Sequence, residues 1–446
     1  MKSIRTIITV SLLALTFISL RAQTPMAFTL KEAQDYAYKN NYDLRNSTTD
    51  VEIARKLVKQ NTAIGLPQID AGMDYIHYFL IPTTLIPGEF VNQPGTYFPV
   101  QFGTDYNVTA RAKATQLVYS GQYLVGVQAA KAYLDTQKER NIKDKLDVRD
   151  NVAEAYIGYL IIGESVKILD STYKSMETMV KEAREFYKNG LLEDVEVDQL
   201  GLNLSNLEAM MISTKNQQVI AYAYLKFLMG IKETQEITLT DSLPTFLAAV
   251  DQDYLMNKQF DYNHNIDYII LKKQEKLVNL QYKLSKTAYQ PSLVAFVNFA
   301  TNAQRTTWNF FNTEEPWYSS GNWGMSLVVP IWSSGSRKYA VDQARLQLDK
   351  VKVADEKLRT QLNLQSETLK NDFNNAYLVY QNKNAGLATS YKIYTKTTIK
   401  YKQGISSSTD LNQKYAQFLN AESDYTQAMF NLLKARIRLA KLLEQL

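Results

Sequence analysis

Two stretches of about 68 residues, Gly121 to Lys188 and Ser336 to Lys402, keep a helical pattern and contain no proline. At ~1.5 Å rise per residue each would form a helix about 100 Å long, which no single globular domain needs. The segments flanking them recur. An expected turn at Tyr119-Ser120-Gly121 answers to Ser333-Ser334-Gly335, and a second at Phe186-Tyr187-Lys188-Asn189-Gly190-Leu191 to Lys400-Tyr401-Lys402-Gln403-Gly404-Ile405, both 214 residues later. Gly65-Leu66-Pro67 answers to Tyr289-Gln290-Pro291 at an offset of 224, the excess falling in a loop with Pro82, Pro87, Pro94 and Pro99. A period this long excludes a solenoid repeat of 20–50 residues and indicates duplication of a whole structural unit.

The repeats are expected at 23–229 and 264–446, joined by a connector at 230–263, each ordered as helix, strand hairpin, very long helix, turn, long helix. The first helix runs from Leu30 to Ile64 with a break near Asn40-Asn41, and its counterpart from Ile266 to Thr287, each stopping shortly before a proline. The long helices are expected at 121–188, 192–229, 336–402 and 406–443. The returning pair carries a seam at alternating steps of four and three, from Leu200 to Leu228 and from Leu411 to Leu432, the spacing of knobs-into-holes packing. Gln218 and Glu422 fall on that seam, which suits walls wet on one side. In the connector, Phe246, Leu247, Val250, Tyr254, Leu255 and Phe260 predict a packed segment; a flexible linker is the alternative.

The hairpins are expected at 69–115 and 292–332. Asp105, Asn107, Thr109, Arg111 and Lys113 alternate with Tyr106, Val108, Ala110 and Ala112, the two-residue period of a strand between unlike environments. Trp323, Met325, Leu327 and Val329 repeat the alternation before Pro330 ends it. A soluble sheet with one wet face would give the same pattern. Yet all four tryptophans lie in the second hairpin, as an aromatic belt at a lipid interface requires.

Compartment is read from the first 22 residues: Lys2 and Arg5, an apolar run from Ile7 to Leu20, then Ala22. The run is too short for a spanning helix and reads as a removed signal peptide; a buried N-terminal helix is the other reading. The chain contains no cysteine, so an exported protein here relies on packing or assembly rather than disulfides. Thirty tyrosines against two histidines favour surfaces apolar on one side and wet on the other. Lys plus Arg number 50 against 45 Asp plus Glu, with the signs interspersed, so nucleic acid is a poor partner.

Four strands cannot close a barrel. An open edge in hydrocarbon leaves backbone groups unpaired at several kcal/mol each, so strands in lipid would require an oligomer. The polar residues Asp105, Asn107, Thr109, Arg111 and Lys113 would then line a lumen, while Tyr106, Val108 and Ala110 meet lipid.

The chain resembles the TolC family of outer membrane efflux proteins. The resemblance rests on Gly65-Leu66-Pro67-Gln68-Ile69 and Tyr289-Gln290-Pro291-Ser292-Leu293 before the first strand of each hairpin. It rests also on Val328-Val329-Pro330-Ile331-Trp332-Ser333-Ser334-Gly335-Ser336 and on Tyr401-Lys402-Gln403-Gly404-Ile405-Ser406-Ser407-Ser408-Thr409-Asp410-Leu411, in this order and at this spacing. It implies a mixed α/β membrane protein: a homotrimer whose 12-stranded outer membrane β-barrel, four strands per chain, continues into a long α-helical barrel in the periplasm. It implies an exit duct for a tripartite efflux or type I secretion system, with a periplasmic adaptor (membrane fusion) protein and an inner membrane transporter of RND or ABC type as partners. Pro67, Gly121, Pro291, Pro330 and Gly335 would mark strand–helix junctions. Gly190, Leu191, Glu193, Asp194, Glu196, Gly404, Ile405 and Ser406 would form the helical turns and the adaptor docking surface. Asp410 occupies the place of an acidic residue lining the periplasmic constriction, and Gln413 stands where relatives can carry a second acid. Asp410 is also explained as an acid favoured near a helix start.

No catalytic constellation is visible. His77 and His264 are the only histidines, no cysteine joins them as a metal ligand, and Gly335-Ser336-Arg337-Lys338 lacks the spacing of a phosphate loop. The chain is therefore expected to be no enzyme and to need no cofactor or metal. A periplasmic coiled-coil scaffold or adhesin is the alternative reading.

Overall fold

The structure, a computed structural model, describes residues 26–92 and 94–443; the signal-peptide reading of residues 1–22 falls outside them. In chain order the elements are β1 (Met26–Phe28), α1 (Leu30–Asn40), α2 (Tyr42–Ala63), β2 (Gln68–His77), β3 (Thr83–Pro87), β4 (Tyr97–Gln101), β5 (Tyr106–Ser120), α3 (Gly121–Lys188) and α4 (Asp194–Met229). They continue with β6 (Ile237–Leu239), α5 (Leu243–Ala248), α6 (Gln252–Asn257), α7 (Ile266–Thr287), β7 (Ser292–Arg305), β8 (Tyr318–Val328), α8 (Ser336–Lys402) and α9 (Ser408–Leu443). The chain divides into two compact units. The first is made of Met1–Asp50, Glu139–Ile270 and Glu356–Leu446, the second of Val51–Lys138 and Leu271–Asp355.

The first unit is helical, with one small parallel sheet of β1 and β6. Thr29 and Glu32 start α1 with a reciprocal capping box, Thr29 N donating to Glu32 Oε2 at 2.8 Å and Glu32 N to Thr29 Oγ1 at 3.3 Å. Asn41 makes the break between α1 and α2. Its Oδ1 accepts from Asp43 N and Leu44 N, and its Nδ2 donates to the Leu228 carbonyl at 2.7 Å. That carbonyl lies in the last turn of α4, where chain carbonyls lack helical partners. Gly230 ends α4 at φ +71°, and an added Cβ would stand 2.3 Å from the Asn40 carbonyl oxygen.

The connector packs, except that Tyr254, expected to join it, is exposed. Leu243, Phe246 and Leu255 are buried, the first two in a core with Tyr156, Leu225 and Met429. Tyr156 Oη donates to the Phe28 carbonyl at 2.9 Å and accepts from Asp241 N at 3.3 Å, while Asp241 Oδ2 accepts from Leu30 N at 2.7 Å. Burial pushes the Tyr156 phenol up to about 12. A second core draws on all four long helices, with Leu169, Met176, Leu200, Leu207, Tyr394, Leu411 and Phe418. The α9 seam is buried, Glu422 included, except at the half-buried Tyr425, whereas the middle of the α4 seam around Gln218 is half-exposed. Glu422 is therefore not at a wet wall, contrary to the expectation from its polarity.

The second unit holds a four-stranded antiparallel sheet in the order β2-β5-β7-β8, with β3 and β4 forming a separate hairpin in the proline-rich loop. The central β5–β7 pair joins strands from the two expected repeats, and its register shifts at Leu117/Tyr119. Three local expectations are corrected. Asp105 precedes β5, and its carbonyl accepts from Tyr78 N at 2.7 Å. Val108, expected toward lipid, is buried beside Ala303, where Tyr75 meets Phe310 edge-on. At Gly121 there is no turn: β5 passes directly into α3. Only at the second junction does the backbone reverse, with Ser334 at φ +48° and Gly335 at φ +84°.

Candidate functional site

The register sorts the sheet's side chains onto two unlike faces. Lys113 is paired with Asp70 and Asn298, Arg111 with Gly72 and Ala300, and Thr109 with Asp74 and Asn302. Because paired residues share a face, one face carries Asp70, Asp74, Thr109, Arg111, Lys113, Asn298, Asn302, Ser320 and Asn322. Arg111 and Asp74 form an ion pair at 2.9 Å, and Asn298 Nδ2 donates to Asn322 Oδ1 at 2.9 Å. Asp70, Asp74, Asn298 and Asn322 were not singled out from sequence, because weak alternation in β2 and β7 hides them until β5 supplies the register.

The opposite face is apolar and open. Ile69, Met73, Tyr75, Val297, Phe299, Trp323, Met325 and Leu327 are all more than half exposed. An apolar patch this continuous is not left to water in a soluble monomer. Trp308 and Trp317 lie in the loop between β7 and β8 and Trp332 beyond β8, but Trp323 is paired with Val297 inside the sheet.

In the first unit the two helical turns share one design. Gly190 and Gly404 stand at φ +71° and +72°. Leu191 N donates to the Phe186 carbonyl and Ile405 N to the Lys400 carbonyl, both at 2.9 Å, the bond pattern that closes a helix on a left-handed glycine. Leu191 and Ile405 project beyond, 73% and 71% exposed. Glu193 caps α4 without a side-chain bond, Asp194 Oδ1 accepts from Val195 N at 2.8 Å, and Glu196 sits in the same first turn. Asp410 N donates to Ser407 Oγ at 3.2 Å and Asp410 Oδ2 accepts from Ser406 Oγ at 2.8 Å, so the carboxylate is partly engaged in starting α9. Gln413 is exposed. A polar ladder joins the two returning helices: Asn203 Nδ2 donates to Asn412 Oδ1 at 2.5 Å, and Gln199 Oε1 accepts from Asn412 and Ser408, each at 3.3 Å.

The sequence profile of the outer membrane efflux protein family matches residues 35–231 and 272–445. The chain belongs to this family. No curated protein matches it at a significant level. Its fold is similar to that of the Campylobacter jejuni CmeC outer membrane channel, at 17% identity over 93% of this chain and 85% of that one with a TM-score of 0.70. The outer membrane protein VceC of Vibrio cholerae is similar at 14% identity over 93% and 96% of the two chains, TM-score 0.67. The open state of the Neisseria gonorrhoeae MtrE outer membrane channel is similar at 16% identity over 93% and 88%, TM-score 0.70.

The expected junction residues can be located against the strands. Pro67 and Pro291 immediately precede β2 and β7, and Pro330 lies just past β8. The Pro330 carbonyl accepts from Arg337 Nη1 at 2.9 Å, and the Arg337 guanidinium lies over the Tyr289 ring. Gly121 has no left-handed backbone angle, and an added Cβ there would displace the Gln290 side-chain amide, the far end of a flexible side chain. The histidines are placed structurally. His77 stacks on Tyr106 at 4.4 Å, and His264 pairs with Asp261 at 3.0 Å. Among the described residues no group of three or more His, Asp or Glu could hold a metal ion, and no helix is long and apolar enough to cross a membrane.

A buried acid that the family reading leaves unexplained is Glu422, 4% exposed. It lines a 490 Å³ groove with Ser165, Thr426, Leu169, Met210 and Phe430. Burial raises its carboxyl above the ordinary range, and hydrogen bonds from Thr426 and Ser165 oppose that rise in part.

Proposed function

We propose that three copies of this chain form an outer membrane exit duct, whose twelve strands close one barrel and whose helices continue the conduit in the periplasm. The observation that carries this reading is the four-stranded sheet, polar on one face, apolar and exposed on the other, with two unpaired edges. A sheet of that kind satisfies its backbone in lipid only by closing with other copies. Thr109, Arg111 and Lys113 then line the lumen with Asp70 and Asp74, Asn107 stands nearer its mouth, and Asp105 lies at the rim. A coiled-coil scaffold or adhesin has no use for the open apolar face.

The duct conducts passively. Energy enters through an inner membrane transporter of RND or ABC type, coupled by a periplasmic adaptor that engages the turns at Gly190 to Glu196 and Gly404 to Ser406. Three copies of Asp410 form an anionic ring at the periplasmic constriction, with Gln413 one turn further along. The relatives CmeC and MtrE are outer membrane channels by description, which favours the same role here. Deleting the gene tests the reading in cells. The expected result is increased accumulation of an amphiphilic dye or a transition metal, or retention of a secreted protein, reversed by a plasmid copy that fractionates with the outer membrane. Unchanged accumulation and secretion across such a panel contradicts the duct.

A further inference from the structure

Resting on the assembly proposed above, we infer the register in which one copy joins the next: the β8 edge of one protomer pairs antiparallel with the β2 edge of its neighbour, Leu327 opposite Met73, Met325 opposite Tyr75, and Trp323 opposite His77. Among the described residues both edges are free in the protomer, β2 bonding only β5 and β8 only β7. Both strands are exposed along nearly their whole length.

The register follows from the duplication. In the first hairpin Gln68 pairs with Thr115 and Ile69 with Ala114; in the second, Ser292 pairs with Val328 and Leu293 with Leu327. Since Pro67-Gln68 answers to Pro291-Ser292, β2 corresponds to β7 with Gln68 equivalent to Ser292. Then β5 corresponds to β8, with Ala114 equivalent to Leu327. The protomer already contains one contact between the second strand of a hairpin and the first strand of the next, namely β5 with β7. There Ala114 lies opposite Val297, Ala112 opposite Phe299 and Ala110 opposite Thr301. Replacing each residue by its equivalent carries Ala114, Ala112 and Ala110 to Leu327, Met325 and Trp323, and Val297, Phe299 and Thr301 to Met73, Tyr75 and His77.

A check independent of the duplication supports this alignment. A slip of one residue would send every side chain of one strand to the wrong face. In the inferred register the apolar residues Leu327 and Met325 meet the apolar Met73 and Tyr75, while Ser326 meets Asp74 on the polar face. The unlike faces of the sheet therefore continue unbroken across the seam between copies.

The chain has no cysteine of its own, so disulfide trapping reads the register directly. Within one protomer β2 and β8 are separated by two strands, about 14 Å at ~4.8 Å per strand, beyond the ~7 Å that a disulfide spans. Any bridge between them is intermolecular. The full chain carrying Leu327→Cys with Met73→Cys, or Met325→Cys with Tyr75→Cys, oxidised in outer membranes, should run on a non-reducing gel as two- and three-chain bands that a reductant removes. Leu327→Cys paired with Ile69→Cys or with His77→Cys, four residues out of register, should stay single. Bridging in the displaced pairs instead of the in-register pairs overturns the register. Native mass spectrometry of the same preparations separates the two readings: trimers without in-register bridges contradict this register alone, and monomers throughout contradict the assembly together with it.

Discussion

The Arg111 guanidinium lies 2.9 Å from the Asp74 carboxylate on the adjacent strand, on the polar face of the sheet. Both side chains are about half exposed, 62% and 47%, so the pair contributes under ~1 kcal/mol. Arg111→Ala should leave the unfolding temperature nearly unchanged. If this face lines a lumen, the same variant should move the reversal potential of reconstituted channels toward cations, because Asp74 loses its counter-charge.

The apolar face makes the opposite prediction. Phe299→Lys sets a charge among Ala112, Val297 and Trp323, where lipid is expected, and a lysine there costs ~2–4 kcal/mol at the bilayer midplane. Asn298→Lys, one residue away on the polar face, should be tolerated. The amount of assembled protein in outer membrane fractions is expected to fall sharply for the first and to hold for the second. Equal yields would mean that the two faces meet the same environment.

Glu422 supplies a pH dependence. Its carboxyl is raised from 4.5, chiefly by burial, so ionisation costs the folded state. The stability held by the protonated acid is full below about 4.5 and is lost as pH rises through the raised value. Glu422→Gln keeps a hydrogen-bonding neutral group and should unfold like the wild type in acid but at higher temperature near neutral pH. Parallel melting curves across that range would place the carboxylate in a solvated setting.

Three glycines at similar backbone angles should respond differently to alanine. Gly190 and Gly404 have open space where a Cβ would go, so each replacement should cost only the left-handed backbone, ~1–2 kcal/mol. Gly230→Ala adds a collision with the Asn40 carbonyl oxygen at 2.3 Å and should cost clearly more. Thermal unfolding of the three variants ranks them.

Much of this architecture is written in local signals. Proline exclusion and helical period mark α3 and α8, and the glycines at 190 and 404 mark turns because only a left-handed residue closes those helices cheaply. The polar period of β5 was legible for the same reason: alternation is a property of one strand. What was not legible depends on partners distant in the chain. Asp74 enters the site only through its register with β5, and Val108 is covered by residues whose placement no period encodes. Gly121 and Gly335 read alike in sequence, yet the first lies against the movable Gln290 side chain at an ordinary φ and the second adopts a positive φ. Glu422 read as a wet position because its polarity is local, while its burial is set by α3 packing beside α9.

Single-channel conductance of the purified protein in a planar bilayer, wild type against Asp410→Ala, tests the duct most directly. The proposed trimer predicts small, cation-preferring steps for the wild type, and steps that widen or lose that preference when the three carboxylates are removed. A protein that stays monomeric in detergent and passes no current in either form would contradict it.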